Sequence, residues 1–261
     1  MPPPPAKKYM LGVRPVLLAL LFGTLVTLLP AFAPATDTQS RTVPLPPGRV
    51  LSVEITIGAI KVEGSTRTDA AIDVVRHAPT PEGLARIPVE IVEDEKEIRI
   101  RGIQAESGTD AAYRTDVTLK VPHAAVIGSI KVLEGRVSLQ SLDGAVTADI
   151  RRGPIDASAL AGTVRLETGI GNVTAERMRL SADGLLRLRA FNGDVTLRLA
   201  ERPRDARILA LALNGTIASE IPLNRKDTWG PRWSEATLGT GEPVISIDVV
   251  TGRIEIKAPS K

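Results

Sequence analysis

Between Gly135 and Met178 apolar and polar residues alternate with a period of two, inside units that begin on a glycine every nine residues, at 135, 144, 153, 162 and 171. Two positions after each glycine stands Val137, Val146, Ile155, Val164 or Val173, and four after stands Leu139, Ala148, Ala157, Leu166 or Ala175. Such alternation turns one set of side chains inward and the other to solvent, as in a strand. A longer rhythm lies on top. Leu142, Leu160 and Met178 return every 18 residues, while the alternate units carry Arg151 and Gly169 at the equivalent place. The units therefore come in two kinds, and starts at Gly135, Gly153 and Gly171 continue to Gly193 and Gly215 in steps of 22.

A fixed period near 20, made of strand, glycine corner and strand, predicts an all-β fold: a right-handed parallel β-solenoid or β-helix-like stack in the C-terminal half, with 18–22 residues per coil. Gly135, Gly144, Gly153, Gly162, Gly171, Gly193 and Gly215 are its expected corners, since glycine allows positive φ and close backbone approach. An antiparallel meander explains the glycines but not the 18-residue return of leucine and methionine. On the N-terminal side, "VLSVEITI" (50–57), "AIKVEG" (59–64), "AIDVVRH" (71–77), "IPVEIVE" (87–93), "EIRIRGI" (97–103) and "TDVTLKVP" (115–122) predict shorter strand pairs. "EDEKE" (93–97) reads as a solvated hairpin turn, "PEGLAR" (81–86) as at most one helical turn, and 224–242 as one long irregular segment before the strands of 243–259.

Composition changes the picture in three places. Aromatic residues are only 3% of the chain, so the core is built from Val, Ile, Leu and Ala, which suits thin layered packing. Residues 1–35 have the order of an export signal: Lys7, Lys8 and Arg14, the apolar run 16–29, then Ala33-Pro34-Ala35. The same segment, through residues 15–33, would serve as an uncleaved membrane anchor; both readings place the body outside the cytoplasm, in the periplasm or at the cell surface. Residues 36–47 read as a polar, proline-rich linker, and 48–259 as a single domain. Setting aside the three basic residues of the leader leaves 30 basic against 30 acidic, which removes the electrostatic case for a nucleic-acid partner. The absence of cysteine excludes disulfides, thiolate metal sites and a cysteine nucleophile.

The opening "GRVLSVEITIGAIKVEG" (48–64), the strand ending "TLKVPHAAVIGSIKV" (118–132), the "LDGAVTA", "FNGDVTLRL" and "LALNGTIASEIP" units and the close "LGTGEPVISIDVVTGRIEI" (238–256) resemble a bacterial family known as the putative adhesin domain, a domain of unknown function. The resemblance spans roughly 45–259. It implies an exported β-solenoid-like envelope domain and brings no catalytic residues with it. The chain departs from the family's commoner Asn-Gly corners, keeping them at Asn192-Gly193 and Asn214-Gly215 only.

Candidate chemistry is sparse. His77 and His123 stand 46 residues apart, with no neighbouring second ligand in sequence, so no metal site or cofactor is expected. The outward acids Asp149, Asp156, Glu167, Glu176 and Asp194 are matched by Arg136, Arg165, Arg187, Arg189 and Arg198, the composition of a solvated sheet face. A carboxylate pair on such a face is the alternative, and would make the chain a polysaccharide lyase or hydrolase. In "TWGPRW" (228–233), Trp229, Arg232 and Trp233 form the candidate ligand platform, against a role as a cap on the end of the stack. The expected function is a non-enzymatic envelope scaffold that binds a protein or polysaccharide through an extended surface, with self-association through end strands as a further alternative.

Overall fold

Alternating apolar positions become strands almost throughout. The computed structural model describes residues 34–104, 110–226 and 231–259, together with Pro2; nearly all of the leader expected over 1–35 lies outside these. Among the described residues no helix is long and apolar enough to cross a membrane. The strands are β1 (Ala35–Pro44), β2 (Val50–Ser65), β3 (Asp69–Ala78), β4 (Glu90–Glu93), β5 (Glu97–Gly102), β6 (Arg114–Pro122), β7 (Val126–Gln140), β8 (Val146–Arg152) and β9 (Ile155–Ser158). They continue with β10 (Thr163–Ile170), β11 (Val173–Met178), β12 (Leu185–Asn192), β13 (Val195–Leu199), β14 (Ala206–Ser219), β15 (Asn224–Lys226), β16 (Arg232–Leu238) and β17 (Val244–Lys257). The expected single turn at 81–86 is a 3-10 helix over Glu82–Arg86, and "EDEKE" is the turn of the β4–β5 hairpin.

The right-handed solenoid is not the architecture. A solenoid is an open stack of coils in chain order, whereas here the ladders close on themselves. The first half of β7 pairs with β8 and its second half with β9. From these, β8–β10–β12 and β9–β11–β13 run side by side, all parallel. The first half of β17 then joins β12, and its second half joins β13. Eight parallel strands thus form a closed barrel, with the other strands outside it. The last strand of the chain closes the ring, so β14 rests on β17 and not on the coil before it in sequence. On the opposite side β2 covers β7 along its length and carries β5, β6, β3 and β1.

The inward set is what the alternation specified. Val137, Leu139, Val146, Val164, Leu188, Val195 and Ile247 are buried, and the narrow interior needs no large ring. Leu142, Leu160 and Met178 are buried as well. Each follows a residue in the left-handed region: Ser141 (φ 58°), Ala159 (φ 56°) and Arg177 (φ 53°). That conformation costs roughly 1–2 kcal/mol per non-glycine residue, and here it shifts the alternation by one so that the next apolar side chain turns inward. No glycine marks these corners, which is why the sequence shows only their 18-residue echo.

At the opposite corner the glycines form a continuous stack in the order Gly58, Gly135, Gly153, Gly171, Gly193, Gly252 and Gly215. A Cβ built on each member after the first would overlap the carbonyl oxygen of the glycine before it. Gly144 and Gly162 line the other corner, over the carbonyls of Ala125 and Asp143.

Two segments hold more order than expected. Residues 36–47 contain β1, paired antiparallel with β3 from Ala35↔Ala78 to Pro44↔Asp69. Its side chains are largely exposed, and only Val43 is buried, so this outer strand lacks the alternating signature. The 224–242 segment, expected as irregular, carries β15 and β16, and β16 runs antiparallel along the first half of β14.

The glycine stack makes a quantitative forecast. Gly153→Ala forces a methyl into the Gly135 carbonyl and is expected to cost about 3 kcal/mol or more, lowering Tm by roughly 6 °C or more. Gly48→Ala has a similarly unfavourable φ of +88° but open space around it, and is expected to cost about 1–2 kcal/mol. Thermal unfolding of the two variants checks this; equal losses would remove carbonyl crowding as the reason for the stack.

Candidate functional site

The corner glycines divide the outer surface of the parallel strands into two faces with different electrostatics. On the face after the glycines, most charges meet at short range: Arg136 donates to Asp156 at 2.8 Å, Arg198 donates to Glu176 at 2.9 Å and Lys257 lies 3.2 Å from Glu255, while Lys61 and Glu63 stand 3.6 Å apart. On the face before them the separations are longer, with Arg152–Glu134 at 3.6 Å, Arg189–Glu167 at 3.7 Å and Arg187–Asp248 at 3.9 Å. Those distances are beyond good hydrogen-bond geometry. Lys131, Asp149, Arg151 and Arg165 have no ion-pair partner among the described residues. These four side chains are free to meet water or a ligand.

The same face also carries most of the exposed large apolar side chains among the described residues. The residue two places before each stacked glycine is Thr56, Leu133, Arg151, Gly169, Phe191, Val250 and Leu213 in register order across the strands. Gly169 leaves a gap in this row, so Phe191 and Arg151 border a depression whose floor is backbone. Beside it stands Ile170, one residue nearer the corner. Phe191 is 62% exposed, Ile170 54% and Leu133 38%. Together with Lys131, Asp149 and Glu167 they line an open groove of about 780 Å³. Scattered exposed leucines need no explanation, but Ile170 and Phe191 stand on the adjacent strands β10 and β12, and neighbouring apolar side chains rimmed by charge are the usual mark of an interaction site.

The residues singled out from the sequence fall elsewhere. Trp229 lies outside the described residues. Arg232 and Trp233 are consecutive on β16, so their side chains leave opposite sides of the strand. Trp233 is opposite Leu211 of β14 and Lys226 of β15 and is half-buried; its indole Nε1 is buried without a hydrogen-bond partner. The indole lies on the Glu235 side without reaching hydrogen-bonding geometry. Lys226 pairs with Glu235 at 2.7 Å, and that hydrogen bond holds the Glu235 carboxyl below its ordinary pKa. His77 lies 3.4 Å from Asp116, and His123 Nδ1 donates to the Ser141 carbonyl at 2.7 Å. Among the described residues no three His, Asp or Glu side chains gather in a way that could hold a metal ion. Asp194 accepts the backbone N–H of Arg253 at 2.7 Å and so supports the corner.

Leu133, Ile170 and Phe191 were not singled out from the sequence. Their signal is an apolar residue one or two places before a corner glycine, where the Gly153 repeat has Arg151 and Arg152.

No protein-family model and no curated protein matches the chain. Among solved structures, it is similar to a putative cell adhesion protein from Clostridium sporogenes at 11% identity and a TM-score of 0.50, over 86% of this chain and 100% of that one. Looser likenesses, over 85% of this chain and 97% of each other chain, are to a putative adhesin from Bacteroides fragilis (10% identity, TM-score 0.34) and a putative lipid binding protein from Parabacteroides distasonis (8% identity, TM-score 0.26). The first likeness is one of fold.

The Glu235 pair predicts a pH effect. Because its folded pKa is depressed, the pair stabilises the fold above the unfolded glutamate pKa, and the contribution is lost as pH falls through the folded value. Lys226→Ala is expected to move the Glu235 titration upward, toward the ordinary glutamate range, read by NMR of the side-chain carboxyl. An unmoved titration would assign the shift to another neighbour.

Proposed function

We propose that the chain is an exported, non-enzymatic binding module of the cell envelope, adhesin-like in the broad sense. It would hold a protein or polysaccharide partner by extended contact with the face before the corner glycines. The observation that carries this reading is the Leu133–Ile170–Phe191 strip, exposed beside loosely paired charges on strands that cannot shift register without exposing their Val and Leu faces. A rigid platform loses little entropy on binding, and a shallow open groove suits a polymer lying along it better than a small molecule enclosed by it. Support for an envelope role comes from the leader-like sequence of residues 1–35 and from the adhesin-like naming of the structural neighbour from Clostridium sporogenes. A sugar-cleaving enzyme is disfavoured because Asp156 and Glu176, two of the outward acids, are each held by an arginine.

The test is co-sedimentation of the purified chain with isolated envelopes of the source bacterium. Phe191→Ser combined with Ile170→Ser is expected to weaken binding at least tenfold while leaving the thermal unfolding temperature within about 4 °C of the parent, as surface substitutions do. Undiminished binding by this variant would move the contact surface elsewhere.

A further inference from the structure

The row two places before the stacked glycines holds a single charge, Arg151, which is exposed and has no ion-pair partner among the described residues. Gly169 lies next to it on β10, and Phe191 next again on β12. The strands that carry the guanidinium and the ring therefore stand two spacings apart, about 10 Å. Between them is bare backbone, and packing keeps it so: a Cβ on Gly169 would come 2.6 Å from the Arg151 carbonyl oxygen. One place nearer the corner, exposed Asn192 stands beside Ile170 in register, and its side-chain amide has no hydrogen-bond partner among the described residues. The other charges around the groove are offset by neighbours: Glu54 by Arg101, Arg152 by Glu134, Glu167 by Arg189, and Asp149 at longer range by Lys131 opposite it in register. Arg151 is the cation left over.

Given the binding role of this face, on which the assignment rests, we infer that the groove takes a polysaccharide whose sugar rings carry carboxylates. A uronate ring seated over Gly169 lays its C–H face against Phe191 and turns its carboxylate to Arg151, whose planar fork suits a charge-assisted, two-pronged hydrogen bond. The Asn192 amide then meets ring hydroxyls as both donor and acceptor. A neutral glycan would cover the guanidinium without neutralising it, at a desolvation cost. A protein strand is the poorer occupant. β8, β10 and β12 are each hydrogen-bonded to a strand on both sides, so no backbone edge is open here to extend the sheet.

The test uses the full chain in detergent solution, with polygalacturonate as the acidic probe and its methyl ester as the neutral one, both measured by titration calorimetry. The acid polymer is expected to bind at least tenfold more tightly than the ester, as a charge-assisted contact implies. Arg151→Gln is expected to erase that difference by weakening the acid polymer alone, and Phe191→Ser to weaken both. Arg202→Gln, in the loop after β13, is expected to change neither. No binding of polygalacturonate, equal affinity for acid and ester, or an unchanged preference in Arg151→Gln would each overturn the assignment. Equally tight, Arg151-dependent binding of polyglutamate would overturn it too, by making the groove a reader of acidic protein. If the assignment fails while envelope co-sedimentation still depends on Phe191 and Ile170, the face binds a different partner; co-sedimentation insensitive to those residues removes the face itself.

Discussion

The close approach of backbone to backbone at the glycine corner governs this structure. Parallel strands stack about 4.8 Å apart, and where each one turns, the carbonyl of the layer below occupies the space that a side chain would need. Seven glycines from Gly58 to Gly215 meet this condition. Because the layers share one turning line, their inward Val, Leu and Ile side chains fall into common rows. Their outward residues do too, so surface chemistry is written in rows perpendicular to the chain.

Closure follows from length. β7 and β17, at 15 and 14 residues, run through the corner without interruption and so face neighbours on both sides of it. The shorter pairs β8 and β9, β10 and β11, and β12 and β13 lie between them. A ring closed at both ends by continuous strands resists opening, which is what a cysteine-free domain with few aromatic residues requires. It also sets the outer surface: β17 brings Val250 between Phe191 and Leu213, residues 22 positions apart that would otherwise be direct neighbours in a stack following chain order.

Much of this was legible in the sequence. Alternation located most strands, the nine-residue glycines located the corners, and the 18-residue return of Leu142, Leu160 and Met178 recorded left-handed corners that carry no glycine. The order of closure was not legible. Every unit presents a similar small-aliphatic inward face, so nothing local distinguishes β17 as the neighbour of β12 from β14 in that place. β1 was missed because an outer strand buries little, with Val43 alone inside. The candidate site was hidden for a related reason: Phe191 and Ile170 look like core residues until the register shows them on the outward rows, whereas Trp229 and Trp233 drew notice as rare rings.

The account stands or falls on β17 lying between β12 and β14. In the cysteine-free chain, Ser246 is in register with Arg187 on one side and with Leu209 on the other. Cysteine pairs at 187 and 246, and at 246 and 209, should each form an intramolecular disulfide on mild oxidation, while the pair at 187 and 209 should not. Efficient closure of 187 with 209, and failure of both pairs with 246, would show the strands stacked in chain order and contradict the closed ring.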